Sequence, residues 1–302
     1  MDNLLPIDLS ARDVTVAICT FRRESVFETL DTIAKQADVD RYDVTVIVID
    51  NDDTNMLGPK VEAFAESYTF PLRYVHAPSR NISIARNAAL DNVQTSWLLF
   101  IDDDELAEPH WVANIMAVRE TAEVIIGQCQ AVYGPDLSDW VKRCDFHSTR
   151  LGDRTDTAYA GNALINMGFV RQHAFRFRLA LGRTGGEDTI FFRELTEAGG
   201  RIRYAPDAIV LEPVPEGRAS MRWIRIRKFR AGQTHGLVTR DFDPETFKGL
   251  WATAGIKALV STFMAGITLP GTIASRKWWA RACMHAGAFS YRLRPTIYEE
   301  YG

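Results

Sequence analysis

Ser96-Trp97-Leu98-Leu99-Phe100-Ile101-Asp102-Asp103-Asp104-Glu105 decides the fold: an apolar run ends abruptly in three consecutive aspartates. Apolar runs of this length suit a strand of a parallel sheet covered on both faces. Adjacent carboxylates at its end repel one another and need a cation or several hydrogen-bond donors. Open α/β sheets gather ligands at the carboxyl ends of their strands. A hard divalent ion takes oxygen ligands and bridges readily to phosphates. The stretch therefore reads as a site for a metal-bound nucleotide diphosphate. The same acids would also suit a solvated loop leading into a helix N-terminus.

Upstream, Val14–Cys19, Val44–Ile49 and Leu72–Val75 are β-branched, apolar runs and read as strands. Helical spacing of apolar residues marks the segments between them, about 24–36, 57–67 and 81–92. This alternation predicts an α/β fold of parallel βαβ units with helices on both faces. The second strand also closes on polar and acidic residues, Asp50, Asn51, Asp52 and Asp53. Right-handed crossovers would bring both acidic ends to one edge of the sheet. Downstream, Trp111, Ile115 and Val118 predict a helix, 123–133 and 159–166 strands, and 187–198 a further helix. Ile202–Tyr204 and Ile209–Leu211 read as two short strands separated by Pro206, and 140–157 shows no firm pattern.

A chain of 302 residues, 46% hydrophobic and 25% charged, can bury a sizeable core as one large domain or a domain with an appendage. The net charge of −4 argues against a whole-protein nucleic-acid binder. Cys19, Cys129, Cys144 and Cys283 lie far apart, without zinc or redox spacing, and read as free thiols. The N-terminal residues lack a basic segment before an apolar core, so no secretory signal is read there.

Five motifs in order resemble the inverting glycosyltransferases of family 2. They are Ala17-Ile18-Cys19-Thr20-Phe21-Arg22-Arg23, Ile49-Asp50-Asn51-Asp52-Asp53, Asn81-Ile82-Ser83-Ile84-Ala85-Arg86-Asn87, Phe100–Glu105 and Gly185-Gly186-Glu187-Asp188. The resemblance covers about residues 12–235 and is nearest to the exopolysaccharide branch. It implies a GT-A nucleotide-diphospho-sugar transferase fold, a Rossmann-like mixed sheet flanked by helices. Residues 12–216 would form the catalytic domain, with 12–105 as the nucleotide-sugar half and 106–216 as the acceptor half.

The resemblance also implies roles. Asp102 and Asp104 would hold Mn2+ or Mg2+, a Lewis acid for the departing diphosphate. Thr20, Phe21, Arg22, Asp50, Asp52, Arg86, Asn87, Asp102 and Asp103 would line a nucleotide sugar, with UDP-glucose the implied donor. Inversion needs one carboxylate to take the acceptor hydroxyl's proton. Asp188 is the expected base and Glu187 its support, although acids here would also match the helix dipole. Where many relatives have a histidine near the phosphates, this chain has Val210-Leu211-Glu212-Pro213, so either Glu212 or the more distant His235 is the third ligand, or the role is absent. Two other readings of the acidic strand ends remain: a nucleotidyltransferase that makes a nucleotide sugar, and a nucleotide-sugar-binding protein without turnover.

Residues 217–302 read as a basic and apolar helical appendage. Arg218, Arg222, Arg225, Arg227, Lys228 and Arg230 fall within thirteen residues, with Trp223 among them; Arg222, Arg225, Arg227 and Arg230 are the candidates for a lipid or acceptor phosphate. Such a surface suits anionic bilayers or the pyrophosphate of a polyprenyl-pyrophosphate-linked saccharide acceptor. From Gly249 to Ser275 the only charge is Lys257, and Arg276-Lys277-Trp278-Trp279 follows like an interfacial anchor. That segment can lie on a membrane, span it, or be a buried helix. The expected location is the cytoplasmic face of the inner membrane.

Overall fold

A computed structural model describes residues 7–149 and 158–297. In chain order the first half holds β1 (Asp13–Thr20), α1 (Val26–Ala34), β2 (Asp43–Asp50), α2 (Gly58–Ala65), β3 (Leu72–His76), α3 (Ile82–Asn92), β4 (Trp97–Asp102) and β5 (Leu106–Ala107). Then come α4 (Trp111–Ala117), β6 (Val124–Tyr133), α5 (Asp139–Cys144), β7 (Asn162–Asn166), α6 (Met167–His173), α7 (Glu187–Glu197) and β8 (Ile202–Val214). Three long helices follow: α8 (Met221–Phe242), α9 (Pro244–Ile267) and α10 (Ile273–Leu293).

The strands form one mixed sheet in the order β3-β2-β1-β4-β7-β6-β8-β5. The first four in that order run parallel, and β7 is antiparallel to both neighbours. The central strands are buried on both faces, and alternate residues feed two cores. Val14, Val16, Ile18, Trp97, Leu99 and Ile101 pack with α1 and α4. Ala17, Cys19, Leu98 and Phe100 pack with α3 and α7. This double coverage is why β4 reads as a continuous apolar run rather than an alternating one. The result is the expected α/β GT-A architecture, with β2 and β4 flanking β1 so that the two acidic strand ends are neighbours.

One expectation needs correction. The segments on either side of Pro206 are one strand, β8, because β6 absorbs the break: Ala205 pairs with Gly127 and Ile209 with the next residue, Gln128. Proline has no N–H for the ladder, and residues 206–208 leave the pairing as a bulge. The apolar segment 249–275 breaks at Pro270-Gly271: α9 ends at Ile267 and a turn leads into α10. The patternless segment 140–157 includes the end of α5, and its residues 150–157 lie outside those described.

Candidate active site

Register places Thr20 beside Asp50 and Cys19 beside Asp102, so three strand ends form one floor. Asp50 is fully buried there; it accepts the Asp52 N–H at 2.9 Å and the Tyr74 hydroxyl at 2.8 Å. Arg22 takes a left-handed backbone (φ 57°). Its Nε donates to Asp52 at 2.8 Å, and its guanidinium lies 5.1 Å from the centre of the Phe21 ring. Arg80 approaches the same exposed ring at 6.0 Å and bonds Asp53 at 2.7 Å. Burial pushes the Asp52 carboxyl up, but the Arg22 and Thr54 hydrogen bonds outweigh it and leave it below the usual range.

The aspartate triplet divides its duties. Asp103 is buried and accepts Thr20 Oγ1 at 2.7 Å and Arg23 Nη1 at 2.8 Å. Asp104 accepts the same Arg23 nitrogen at 2.7 Å, and Arg218 lies 3.6 Å away, bridging to Glu212 at 3.0 Å. Asp102 keeps about half of its side chain open (48%), with Arg86 at 3.9 Å. It sits deep enough for burial to push its carboxyl up to about 6, with Asp104 and Asp103 adding to the rise and Arg86 opposing it. Beneath it, buried Glu105 accepts the Asp102 N–H at 3.0 Å, and burial raises its own carboxyl.

Gly161 leaves room here: a Cβ on it would stand 2.9 Å from Asp102 Oδ2 and 3.1 Å from Glu105 Oε1. Among the described residues no three His, Cys, Asp or Glu side chains converge on a common cation position. Arginines sit on the acids' oxygens instead. The donors that Asp102 and Asp104 offer are all carboxylate oxygens, the chemistry a hard divalent ion takes, and Gly161 keeps space beside Asp102. In donor chemistry, though not in a converged ligand set, these residues fit such an ion. His235 does not join them; it lies on α8, and both Lys257 and desolvation lower its pKa.

Helix α7 brings the second pair of acids. Gly185 and Gly186 precede it with φ of 80° and 87°, values that ordinary side chains resist. Glu187 is buried, bonds Arg86 through Oε1, and leaves Oε2 without a partner. Burial and the adjacent Asp188 charge push its carboxyl up to about 7, against the pull of Arg86. Asp188 is partly open and accepts its neighbour Thr189's N–H at 2.6 Å. Burial opposes the Arg86 charge, but Glu187, Asp188 and Asp102 hold it protonated. One guanidinium thus joins the end of β4 to the start of α7.

Helix α3 makes that junction possible. Asn81 caps it and also donates to the Leu179 carbonyl at 2.9 Å; Ser83 donates to the Arg178 carbonyl at 2.9 Å. Asn87 holds the Phe177 backbone from both sides, N–H and carbonyl, each at 2.9 Å. Each of its amide atoms thus has one backbone partner. Phe177 in turn stacks on Phe191 of α7 at 4.0 Å and lies 5.6 Å from the Arg86 guanidinium.

Comparison with known proteins identifies the family. The family model for glycosyl transferase family 2 matches residues 15–179. The chain is 37% identical over 296 residues, 96% of each protein, to succinoglycan biosynthesis protein ExoM of Rhizobium meliloti (strain 1021). The chain belongs to glycosyl transferase family 2. Solved structures share its fold. One is the mannosyltransferase PcManGT of Pyrobaculum calidifontis in complex with GDP-Man and Mn2+, at TM-score 0.64 and 20% identity, covering 97% of this chain and 90% of that one. Another is S. aureus TarS 1-349 in complex with UDP, at TM-score 0.53 and 16% identity, covering 93% and 91%.

Within this family 2 transferase several residues that sequence reasoning gave no role at the site reach the strand-end acids. Arg23, Tyr74, Glu105, Gly161 and Arg218 do so from separate parts of the chain. For Arg23 the available clue was its place beside Arg22 in the first motif; for Arg218 it was membership of the basic cluster, which pointed to a membrane or lipid phosphate rather than to Asp104. The basic cluster also divides. Arg222, Arg225 and Arg227 are exposed on α8, with Arg227 lying 5.1 Å from the centre of the Trp223 ring. Arg230 turns inward and donates to the Thr184 carbonyl at 2.6 Å, bracing the loop that leads to Glu187.

Proposed function

We propose that the protein is an inverting transferase that moves a sugar from a nucleotide-diphosphate donor to a lipid-linked saccharide during exopolysaccharide or other surface-glycan synthesis. The observation that carries this reading is the Arg86 bridge, which sets Glu187-Asp188 beside Asp102. A leaving-group site and a base are thereby held at one cleft. The likeness to ExoM favours the exopolysaccharide setting. The structures solved with UDP, or with GDP-Man and Mn2+, favour a nucleotide sugar and a divalent ion. UDP-glucose is the proposed donor.

Thr20, Phe21, Arg22, Asp50, Asp52 and Asp103 form the nucleotide side. Asp102 and Asp104 would hold Mn2+ or Mg2+, which when bound neutralises the departing diphosphate. Asp188 takes the acceptor hydroxyl's proton as that oxygen forms its bond to the anomeric carbon. The carbon–oxygen bond to the diphosphate breaks on the opposite side, and the anomeric configuration inverts. Glu187, held by Arg86, fixes the turn that presents Asp188. Arg222, Arg225 and Arg227 would meet the acceptor's pyrophosphate at the cytoplasmic face of the inner membrane. Residues 12–216 then serve catalysis and 217–302 the membrane.

Turnover against a panel of nucleotide sugars, with membrane lipid extract as acceptor, tests the reading. UDP should be released with one donor, in the presence of extract, and only with Mn2+ or Mg2+. Equal turnover in excess chelator would remove the role given to Asp102 and Asp104.

A further inference from the structure

Helix α9 touches the rest of the protein along one narrow stripe. Leu250, Ala254, Ser261 and Ala265 are its buried residues. At 100° per residue, Ile256, Leu259, Val260, Phe263 and Ile267 fall on the opposite side. Each of these five is more than half exposed. Folded monomers rarely leave so continuous an apolar face in water. Beside it, α9 and α10 enclose a groove of about 400 Å3 whose lining includes Ile256, Val260, Trp278, Lys257 and Arg281. Among the described residues neither of those two cations has an acidic partner.

Charge selects the occupant. Residues 217–297 hold fourteen arginines and lysines against three acids, in a chain of net charge −4. A second copy meeting this face would set Lys257 and Arg281 against their own duplicates, whereas an anionic lipid surface satisfies them. Helix α9 is long and apolar enough to cross a bilayer by length and composition. It is, however, tied to α10 at both ends: Ser275 donates to the Ala265 carbonyl at 3.0 Å and Arg292 to the Phe247 carbonyl at 3.2 Å. A crossing α9 would pull Arg276, Lys277 and Arg281 of its partner into hydrocarbon.

We propose that α9 lies in the plane of an anionic bilayer, its five exposed apolar residues among the acyl chains and a lipid phosphate in the groove between Lys257 and Arg281. This deepens the membrane-side role proposed above and rests on it. It also makes α10 the basic inner wall of the docked surface.

Flotation of the full chain with vesicles tests it. The protein should float with phosphatidylcholine–phosphatidylglycerol vesicles, not with phosphatidylcholine alone, and an alkaline carbonate wash should release it. The variant L259E/F263E should bind at least about tenfold more weakly, and K257Q/R281Q about 25-fold more weakly, since each cation at an anionic surface contributes about fivefold. These residues are outside the catalytic cleft, so transfer in detergent should stay unchanged. Equal binding to both vesicle types, retention through the wash, or a dimer broken by L259E/F263E with vesicle binding intact would each overturn the proposal. So would tight binding of inorganic pyrophosphate, without vesicles, that is lost in K257Q/R281Q. If the wild type docks as described but transfers no sugar, the transferase reading fails and the docking stands.

Discussion

Asp188→Asn is expected to lower sugar transfer by about 10³-fold, within the 10²–10⁴ that a positioned general base contributes, while UDP binding is unchanged. The carboxylate stands in the first turn of α7, where Thr189's N–H already holds one oxygen at 2.6 Å. An asparagine carbonyl can accept that same bond, so the turn should survive the substitution. What it cannot do is take a proton from an attacking hydroxyl. Single-turnover transfer, paired with calorimetric titration of UDP, separates the two effects. Glu187→Gln should cost less, because Glu187 acts through Arg86 and the shape of the turn. Transfer within a factor of two of wild type in Asp188→Asn would remove Asp188 from the chemistry.

Arg86→Ala is expected to destabilise the fold by about 3–5 kcal/mol, the usual cost of removing one partner from a buried ion pair. Arg86 is buried, bonds Glu187, and lies 3.9 Å from Asp102. Without it, Glu187 would be left buried with neither carboxylate oxygen partnered, since Oε2 already lacks one. Phe177 would also lose the cation beside its ring. Urea unfolding measures the loss. The double variant Arg86→Met/Glu187→Gln should recover part of it, because the stranded charge is gone; such coupling is the signature of residues in contact. A single-variant loss under about 1 kcal/mol, well below the buried-pair range, would mean that the bridge does not hold the two parts together.

The architecture was legible because it rests on local patterns. Runs such as Val44–Ile49 and Trp97–Ile101 are buried on both faces, and that burial shows directly as unbroken apolar sequence. The aspartate clusters were legible because chemistry of that kind gathers at strand ends. Pro206 misled because its effect depends on β6, where one step from Gly127 to Gln128 keeps the ladder going. No local pattern reports a partner strand's tolerance. The break between α9 and α10 was legible as well, because Pro270-Gly271 interrupt the apolar run there.

Within the site, residue types were easier to read than partners. Asn87 was expected at a nucleotide, and its amide also pins the backbone of Phe177, ninety positions away in the chain. Arg23 bridges Asp103 and Asp104 across some eighty positions, and Arg218 reaches Asp104 from beyond the last strand. Such pairings follow from how the sheet closes, and a single sequence does not display them. The same applies to Arg230: four arginines in a cluster look alike, but the loop before α7 takes one of them inward.

A crystal structure of the full chain soaked with UDP and Mn2+ tests the account most directly. The account predicts one Mn2+ bound by Asp102 or Asp104 at about 2.1–2.2 Å, bridging to the diphosphate, with the Arg23 or Arg218 guanidinium moved off Asp104 and Asp188 facing the same cavity. UDP bound elsewhere on the protein, or bound at these strand ends without the ion and with Asp188 turned away, would contradict it.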